Sequence, residues 1–303
     1  MGHRILYIPR NRINPNAFIT EWDLPSGSFS LPLRAVNSYN MTVDWGDGSP
    51  LSVVTSYSDI DATHTYAAGT YRITIIGLCE AWYINNGTIA TYLYKIIQWG
   101  NMGFKNLEYS FKGCNNLNSL PNGAITGAYY TVNIRYMFQD CSKITSIPNG
   151  FLSEFKVLNS VSAMWRGTGI TTLPSDFFTY TPNALVSTCF YGCVELSTIP
   201  ANLLRYHTNN DYSNMFNGCI KLKLHSTIFC SSGEELTRFL NKSPNFNDCF
   251  ARKTFTGAQG IAPDLWAYDY GIGGIPSNTK CFDGFGNSPT SLSNYADIPT
   301  GWK

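Results

Sequence analysis

The stretch Tyr109-Ser110-Phe111-Lys112-Gly113-Cys114-Asn115-Asn116-Leu117-Asn118-Ser119-Leu120-Pro121 decides the fold. An aromatic residue is followed three places on by cysteine, then by apolar residues at two further steps of three, and the run closes on proline. The same order returns at Tyr136-Met137-Phe138 with Cys141, Ile144, Ile147 and Pro148, and at Met164-Trp165 with Thr168, Ile170, Leu173 and Pro174. It returns again at Cys189-Phe190 with Cys193, Leu196, Ile199 and Pro200, and at Met215-Phe216 with Cys219 and Leu222, where His225 and Ser226 stand in place of the closing pair. The aromatic positions 111, 138, 165, 190 and 216 are 27, 27, 25 and 26 residues apart. A fixed period of this size marks a solenoid, in which a unit buries its apolar face only by stacking on its neighbours. Cys249-Phe250 and Cys281-Phe282 extend the column at spacings of 34 and 32, which reads as rungs carrying insertions.

Within a unit, Phe and Cys three apart share one face of a helical turn, and Leu-x-x-Leu continues the apolar side. Pro148, Pro174 and Pro200 are each followed by two large apolar residues at the third and fourth places: Phe151-Leu152, Phe177-Phe178 and Leu203-Leu204. Proline suits the first position of a helical turn. Each unit is therefore expected to hold a short strand and one or two helical turns. Gly233 to Leu240 behind Ser232 reads as a short capped helix.

The repeat also accounts for the nine cysteines, which are odd in number and never occur as Cys-x-x-Cys. Cys114, Cys141, Cys193 and Cys219 share one column with Thr168; Cys189, Cys249 and Cys281 share another with Ser110, Met137, Met164 and Met215. Columns that accept Thr and Met ask for small or soft buried side chains. The expectation is free thiols in ladders, with no disulfide, metal or cofactor.

Residues 19–78 read differently. Phe29-Ser-Leu31-Pro-Leu33, Tyr39-Asn-Met41-Thr-Val43-Asp-Trp45 and Tyr71-Arg-Ile73-Thr-Ile75 alternate apolar and polar residues between Gly, Ser and Asp clusters, the pattern of a small antiparallel β-sandwich. Val43-Asp44-Trp45-Gly46-Asp47-Gly48-Ser49, followed by His64-Thr65-Tyr66 and Gly69-Thr70-Tyr71, resembles the PKD family of immunoglobulin-like domains. Asp44 and Asp47 offer oxygen ligands of the kind calcium takes, but such Asp-Gly pairs more often form tight turns. Residues 79–108 are a transition expected to supply the first rung. Residues 1–18, with Arg4, Arg10 and Arg12, are an N-terminal arm able to dock on another subunit or to remain loosely held.

Repeats and head together resemble BspA-like leucine-rich-repeat proteins of the 26-residue surface type. The expected fold is thus mainly β with short helical turns, an immunoglobulin-like (PKD) β-sandwich over 19–78 followed by a leucine-rich-repeat solenoid over 79–303 with an irregular end. The resemblance implies adhesion or surface display, and it supplies no catalytic residues. The start MGHRILYIPRNR holds only a four-residue apolar stretch before Pro9, and no signal peptide is expected. Taken with the family, that points to a virion or extracellular surface, a phage head or tail fibre or a decoration protein.

Composition narrows the partners. Charged residues are 14% of the chain and the net charge is +1, with the basic residues scattered, so nucleic acid is not expected. No apolar run approaches the roughly 18 residues of a membrane span, so no membrane insertion is expected. The four histidines, His3, His64, His207 and His225, lie far apart in the sequence, and the acid pairs Asp59/Asp61 and Glu234/Glu235 read as solvated faces, so no enzyme activity is expected. Tyr129, Tyr130, Tyr180, Tyr206, Tyr212, Trp266, Tyr268 and Tyr270 fall outside the periodic aromatic column and are the candidates for ligand contact. Host cell-surface glycan or protein, and neighbouring virion subunits through residues 1–18, are the expected partners. A purely architectural subunit is the rival reading, and a glycan-active enzyme would need two convergent carboxylates.

Overall fold

The computed structural model describes residues 14–230, 236–252, 259–285 and 292–303. The molecule is mainly β, and the helical segments among the described residues are 3-10 turns of three or four residues. Contacts divide the chain into two units, one of residues 1–144 with 150–158, the other of residues 145–149 with 159–303.

The first unit opens with seven strands, β1 (Phe18–Leu24), β2 (Gly27–Ser30), β3 (Tyr39–Asp44), β4 (Ser52–Val54), β5 (Thr63–Tyr66), β6 (Gly69–Cys79) and β7 (Leu93–Gln98). Five form an antiparallel sheet in the order β4-β3-β6-β1-β7, and β2 pairs with β5 separately. Alternation aims Trp22 of β1 at Phe29 of β2, with ring centroids 5.0 Å apart. Phe29 meets Tyr66 at 6.1 Å, and Tyr66 meets Trp45 at 6.3 Å. The two sheets thus face each other across an aromatic core. β7 lies in the stretch that reads as a transition and adds to the edge of β1 with two register shifts, which is why its apolar alternation is weak in the sequence. Residues 14–18, expected as part of an arm, are held. The Gln98 side-chain amide donates to the Asn14 and Ala17 carbonyls at 2.7 Å each, and the Asn101 N–H donates to the Asn16 carbonyl at 3.1 Å. The rest of the arm, residues 1–13, lies outside the described residues.

The repeats follow a rule that differs from the expected strand and helix. In the first unit the N–H groups of Leu107, Tyr109, Phe111 and Gly113 donate to the carbonyls of Asn133, Arg135, Met137 and Gln139 on the next rung. Between them, the N–H groups of Ser110, Lys112 and Cys114 donate three residues back within their own rung. The second unit repeats this: Val161, Ala163, Trp165 and Gly167 donate to Leu185, Ser187, Cys189 and Tyr191, while Met164, Arg166 and Thr168 close turns. Every N–H in these runs of eight is satisfied, four by the neighbour, three by a turn and one, that of Glu108 or Ser162, by the Asn106 or Ser160 side chain two places back. The cause lies in left-handed positions beside the aromatic residue, one before it in every rung and one after it in all of these rungs but that of Phe250, where Arg252 stands without positive φ. Tyr109, Tyr136, Ala163, Thr188, Asn214, Asp248 and Lys280 stand two places before it with φ between 53° and 60°. Gly113, Asp140, Gly167, Gly192, Gly218 and Gly284 stand two places after it, also with positive φ. A left-handed residue stops a right-handed helix from propagating. The widely spaced Cys249-Phe250 and Cys281-Phe282 join the same scheme, Phe216 N–H donating to the Cys249 carbonyl and Phe250 N–H to that of Cys281.

Aromatic rings stack in register within each unit. Phe111 lies over Phe138 at 5.4 Å in the first; in the second, Phe190 lies over Phe216 at 5.4 Å, Phe216 over Phe250 at 5.7 Å, and Phe250 over Phe282 at 5.5 Å. The thiol column does more than fill space. Cys141 donates to the Phe111 carbonyl at 3.0 Å, Cys193 to that of Trp165 at 3.0 Å and Cys219 to that of Phe190 at 3.1 Å, tying each rung to the one before. All nine cysteines are free and buried. Burial pushes the Cys193 thiol up to about 11 and Cys79 to about 12, and holds Cys141, Cys189, Cys219 and Cys281 well above the usual thiol range. Since the thiolate is the reactive form, the native protein is expected to leave all nine thiols unlabelled by an aromatic disulfide reagent within minutes, and to release nine equivalents in concentrated guanidinium. Rapid labelling of several thiols in native buffer would contradict the buried ladders. Of the helix expected over Gly233 to Leu240, the part to Glu235 and its Ser232 cap lie outside the described residues, and Leu236 to Leu240 form turns.

Candidate functional site

The Asp-Gly turn of the head is occupied by its own hydrogen bonds. Asp44 Oδ1 accepts from Gly46 N–H, and Asp47 Oδ1 accepts from Ser49 N–H, each at 3.0 Å. Asp47 Oδ2 lies 2.7 Å from His64 Nε2, and the imidazole stacks on Trp45 at 5.0 Å. Burial alone would raise the Asp47 carboxyl, but hydrogen bonds from Ser49 and His64 outweigh it and hold it at about 2. This is a tight turn braced by an Asp-His pair. Among the described residues no group of three or more His, Cys, Asp or Glu side chains is placed to hold a metal.

The eight candidate aromatic residues differ in burial. Tyr129 and Tyr130 are exposed in the first unit, where Glu154 hydrogen-bonds the Tyr129 phenol and raises it. The others belong to the second unit. Tyr212, expected to be free for a ligand, is fully buried: its ring stacks on Phe246 at 5.3 Å and its hydroxyl lies 3.3 Å from His207 Nδ1. It precedes Phe216 by four residues and so falls on the inward side of its rung. Trp266, Tyr268 and Tyr270 are half-buried. Tyr268 packs on Phe239 at 5.2 Å with its hydroxyl 3.0 Å from Cys230 Sγ, and the Tyr270 hydroxyl donates to the Leu265 carbonyl at 2.6 Å. Tyr180 and Tyr206 are exposed, at 42% and 66%. They also prove to be periodic, each six residues after a rung proline, Pro174 and Pro200, on the outward side.

Tyr206 lines clefts on both sides. One, of about 230 Å³, runs from Ser175 and Thr179 to Asn202 and Tyr206 over the buried Phe178. The other, of about 240 Å³, is formed by Arg205, Tyr206, Thr208, Arg238, Phe239 and Lys242. Through Thr208 the second opens onto a shallow depression of about 600 Å³ walled by Asn183, Asn209, Asn210, Asp211, Ser243 and Asn245. The Arg205 guanidinium stands 5.6 Å from the Tyr206 ring centre. Beneath, His207 is locked: Nε2–H donates to the Ala184 carbonyl at 2.9 Å, which leaves Nδ1 to accept from Tyr212. Burial, helped by the Arg238 cation and opposed by the Ala184 hydrogen bond, depresses the imidazole to about 4. His225 is likewise structural, Nε2 bonding the Ile199 carbonyl at 2.9 Å.

No family model matches the chain, and no curated protein matches it. A solved structure is weakly similar: a leucine-rich repeat protein from Bacteroides ovatus ATCC 8483, 13% identical, with a TM-score of 0.32 over 65% of this chain and 51% of that one. The match thus spans about half the length of that protein.

Two residues of the cleft carried no signal in the sequence. Arg238 donates to the backbone carbonyls of Leu204, Arg205, His207 and Phe229, and its guanidinium lies 5.0 Å from the Phe239 ring centre. Lys242 lines the cleft from the end of the same turn segment. Both follow the last intact repeat in a stretch without periodicity, so nothing in spacing or residue type could place them beside Tyr206. Among the described residues no helix is long and apolar enough to cross a membrane.

Proposed function

We propose that this chain is a non-catalytic recognition protein displayed on a virion or cell surface, binding a glycan or protein of a host cell. In this reading the head is a PKD-like immunoglobulin-like domain, the repeats are a leucine-rich-repeat array of the BspA type, and no cofactor is used. The observation that carries the reading is Tyr206, exposed on a framework of stacked rungs and flanked by clefts whose walls are mostly amides, hydroxyls and cations. Rigid scaffolds presenting an aromatic residue beside adaptable amides suit binding. His207 and His225 are committed to backbone carbonyls and the cysteines are buried as free thiols, which supports a role without chemistry.

The test uses the full chain, because residues 1–78 cannot be removed cleanly: β1 pairs with β7, and Phe18 packs against Trp82, Trp99 and Phe104. Purified protein is expected to bind host cells saturably, and the binding to fall after periodate oxidation or protease treatment of the cells, according to whether the receptor is glycan or protein. Glycan turnover would refute the non-catalytic part. Absence of cell binding by a protein that still assembles into particles would favour the architectural alternative.

A further inference from the structure

We propose that the cleft at Tyr206 binds an acidic oligosaccharide, one sugar ring lying on the Tyr206 face, its carboxylate meeting Lys242, and the chain continuing along the asparagine-rich depression toward Asn245. This deepens the recognition reading and rests on it. Tyr206 is 66% exposed, and its hydroxyl makes no hydrogen bond among the described residues. Its ring covers little of the core, so stability does not explain a large flat apolar face at this position. Such a face is amphipathic and rigid, suited to the ring hydrogens of a sugar.

The charge of the cleft is the second observation. Among the described residues, the two clefts that share Tyr206 are lined by the cations Arg205, Arg238 and Lys242 and by no carboxylate. Arg238 is committed to four backbone carbonyls, but Lys242 is half-buried and its ammonium has no ion pair or hydrogen bond among the described residues. The Lys242 ammonium at a concave surface therefore supplies a positive field that a bound anion would relieve. The third observation is the neighbouring wall. Thr208 and Ser243 continue it into Asn183, Asn209 and Asn245, amides and hydroxyls that both donate and accept, as sugar hydroxyls require. Asp211, the carboxylate there, already accepts from the N–H and hydroxyl of Ser213 at 3.1 and 2.7 Å. A nucleic acid would instead need cations spaced along a strand, and this wall holds no cation among the described residues.

Calorimetric titration of the full chain with paired probes tests the assignment: tetragalacturonate against cellotetraose, and 3′-sialyllactose against lactose. The acidic member of at least one pair is expected to bind about tenfold or more tighter than its neutral partner. Tyr206→Ala should lose about tenfold or more and Tyr206→Trp should retain binding, while Lys242→Gln should erase the preference for the acidic member. Tyr130→Ala, in the other unit, should change nothing. Equal binding within both pairs, no binding of any probe, or full binding by Tyr206→Ala would each overturn the proposal. Host-cell binding by the same variants separates the two levels. If Tyr206→Ala still binds cells, this site is wrong and recognition stands; if the unaltered protein binds no cells, the recognition reading itself fails.

Discussion

Replacing Phe190 with alanine is expected to destabilise the unit of residues 145–149 and 159–303 by about 3–5 kcal/mol. The ring is fully buried, stacked on Phe216 at 5.4 Å, and bordered by Phe177 and Phe178 at 5.5 and 6.3 Å. The backbone carbonyl of residue 190, which accepts the Cys219 thiol, is retained in the variant, so the loss comes from the cavity and the forfeited ring contacts. Neighbouring rungs are locked by alternate N–H groups and cannot close readily on the void. Urea denaturation should show the midpoint fall in proportion. Tyr206→Ala, at an exposed position of the same unit, should shift stability by less than about 0.5 kcal/mol. A loss below about 1 kcal/mol for Phe190→Ala would mean that the ring column is not what holds the rungs.

Acidification should destabilise the protein through His207. The imidazole is depressed to about 4 in the folded state by burial and by Arg238, against about 6.5 in an unfolded chain. Between these values the unfolded chain binds a proton that the folded chain refuses, so stability falls as pH drops from 6.5 to about 4 and this contribution is exhausted below. The full difference amounts to about 3 kcal/mol at most. His207→Gln keeps a side-chain donor for the Ala184 carbonyl and removes the titration, so its stability should change less across that window. Asp47 titrates in the opposite sense but in a lower range: its depressed carboxyl contributes stability above the ordinary carboxylate value that is lost toward pH 2. Parallel pH profiles for wild type and His207→Gln between pH 6.5 and 4 would sink the assignment.

The sequence was most informative where one residue type answers one local need. Phe111, Phe138, Phe190 and Phe216 recur because a ring is wanted at the same depth of every rung, and the buried rings show that depth directly. The cysteines were legible as packing because Thr168 and several Met residues share their columns. The conformation of the rungs was not legible. Three-residue spacing looks the same in a helical turn and in a chain that alternates turn and rung hydrogen bonds, and only the left-handed positions separate them. The column two places before the aromatic residue holds Tyr, Ala, Thr, Asn, Asp and Lys, so no residue type announces it.

The candidate site divides in the same way. Residue type and exposure made tyrosines outside the core column visible, yet Tyr212 is core and Tyr206 lies at a cleft, a distinction that depends on which side of a rung each falls. By itself, the sequence determined that aromatic side chains and small soft thiols would be stacked at a 25- to 27-residue period, since periodicity records burial. Only the tertiary structure decided which surface the rungs leave open. Arg205, Tyr206, Arg238 and Lys242 meet because the segment after the last regular repeat returns to cap the carbonyls of Leu204 and His207, and such a meeting of non-periodic residues leaves no pattern in the order of the chain.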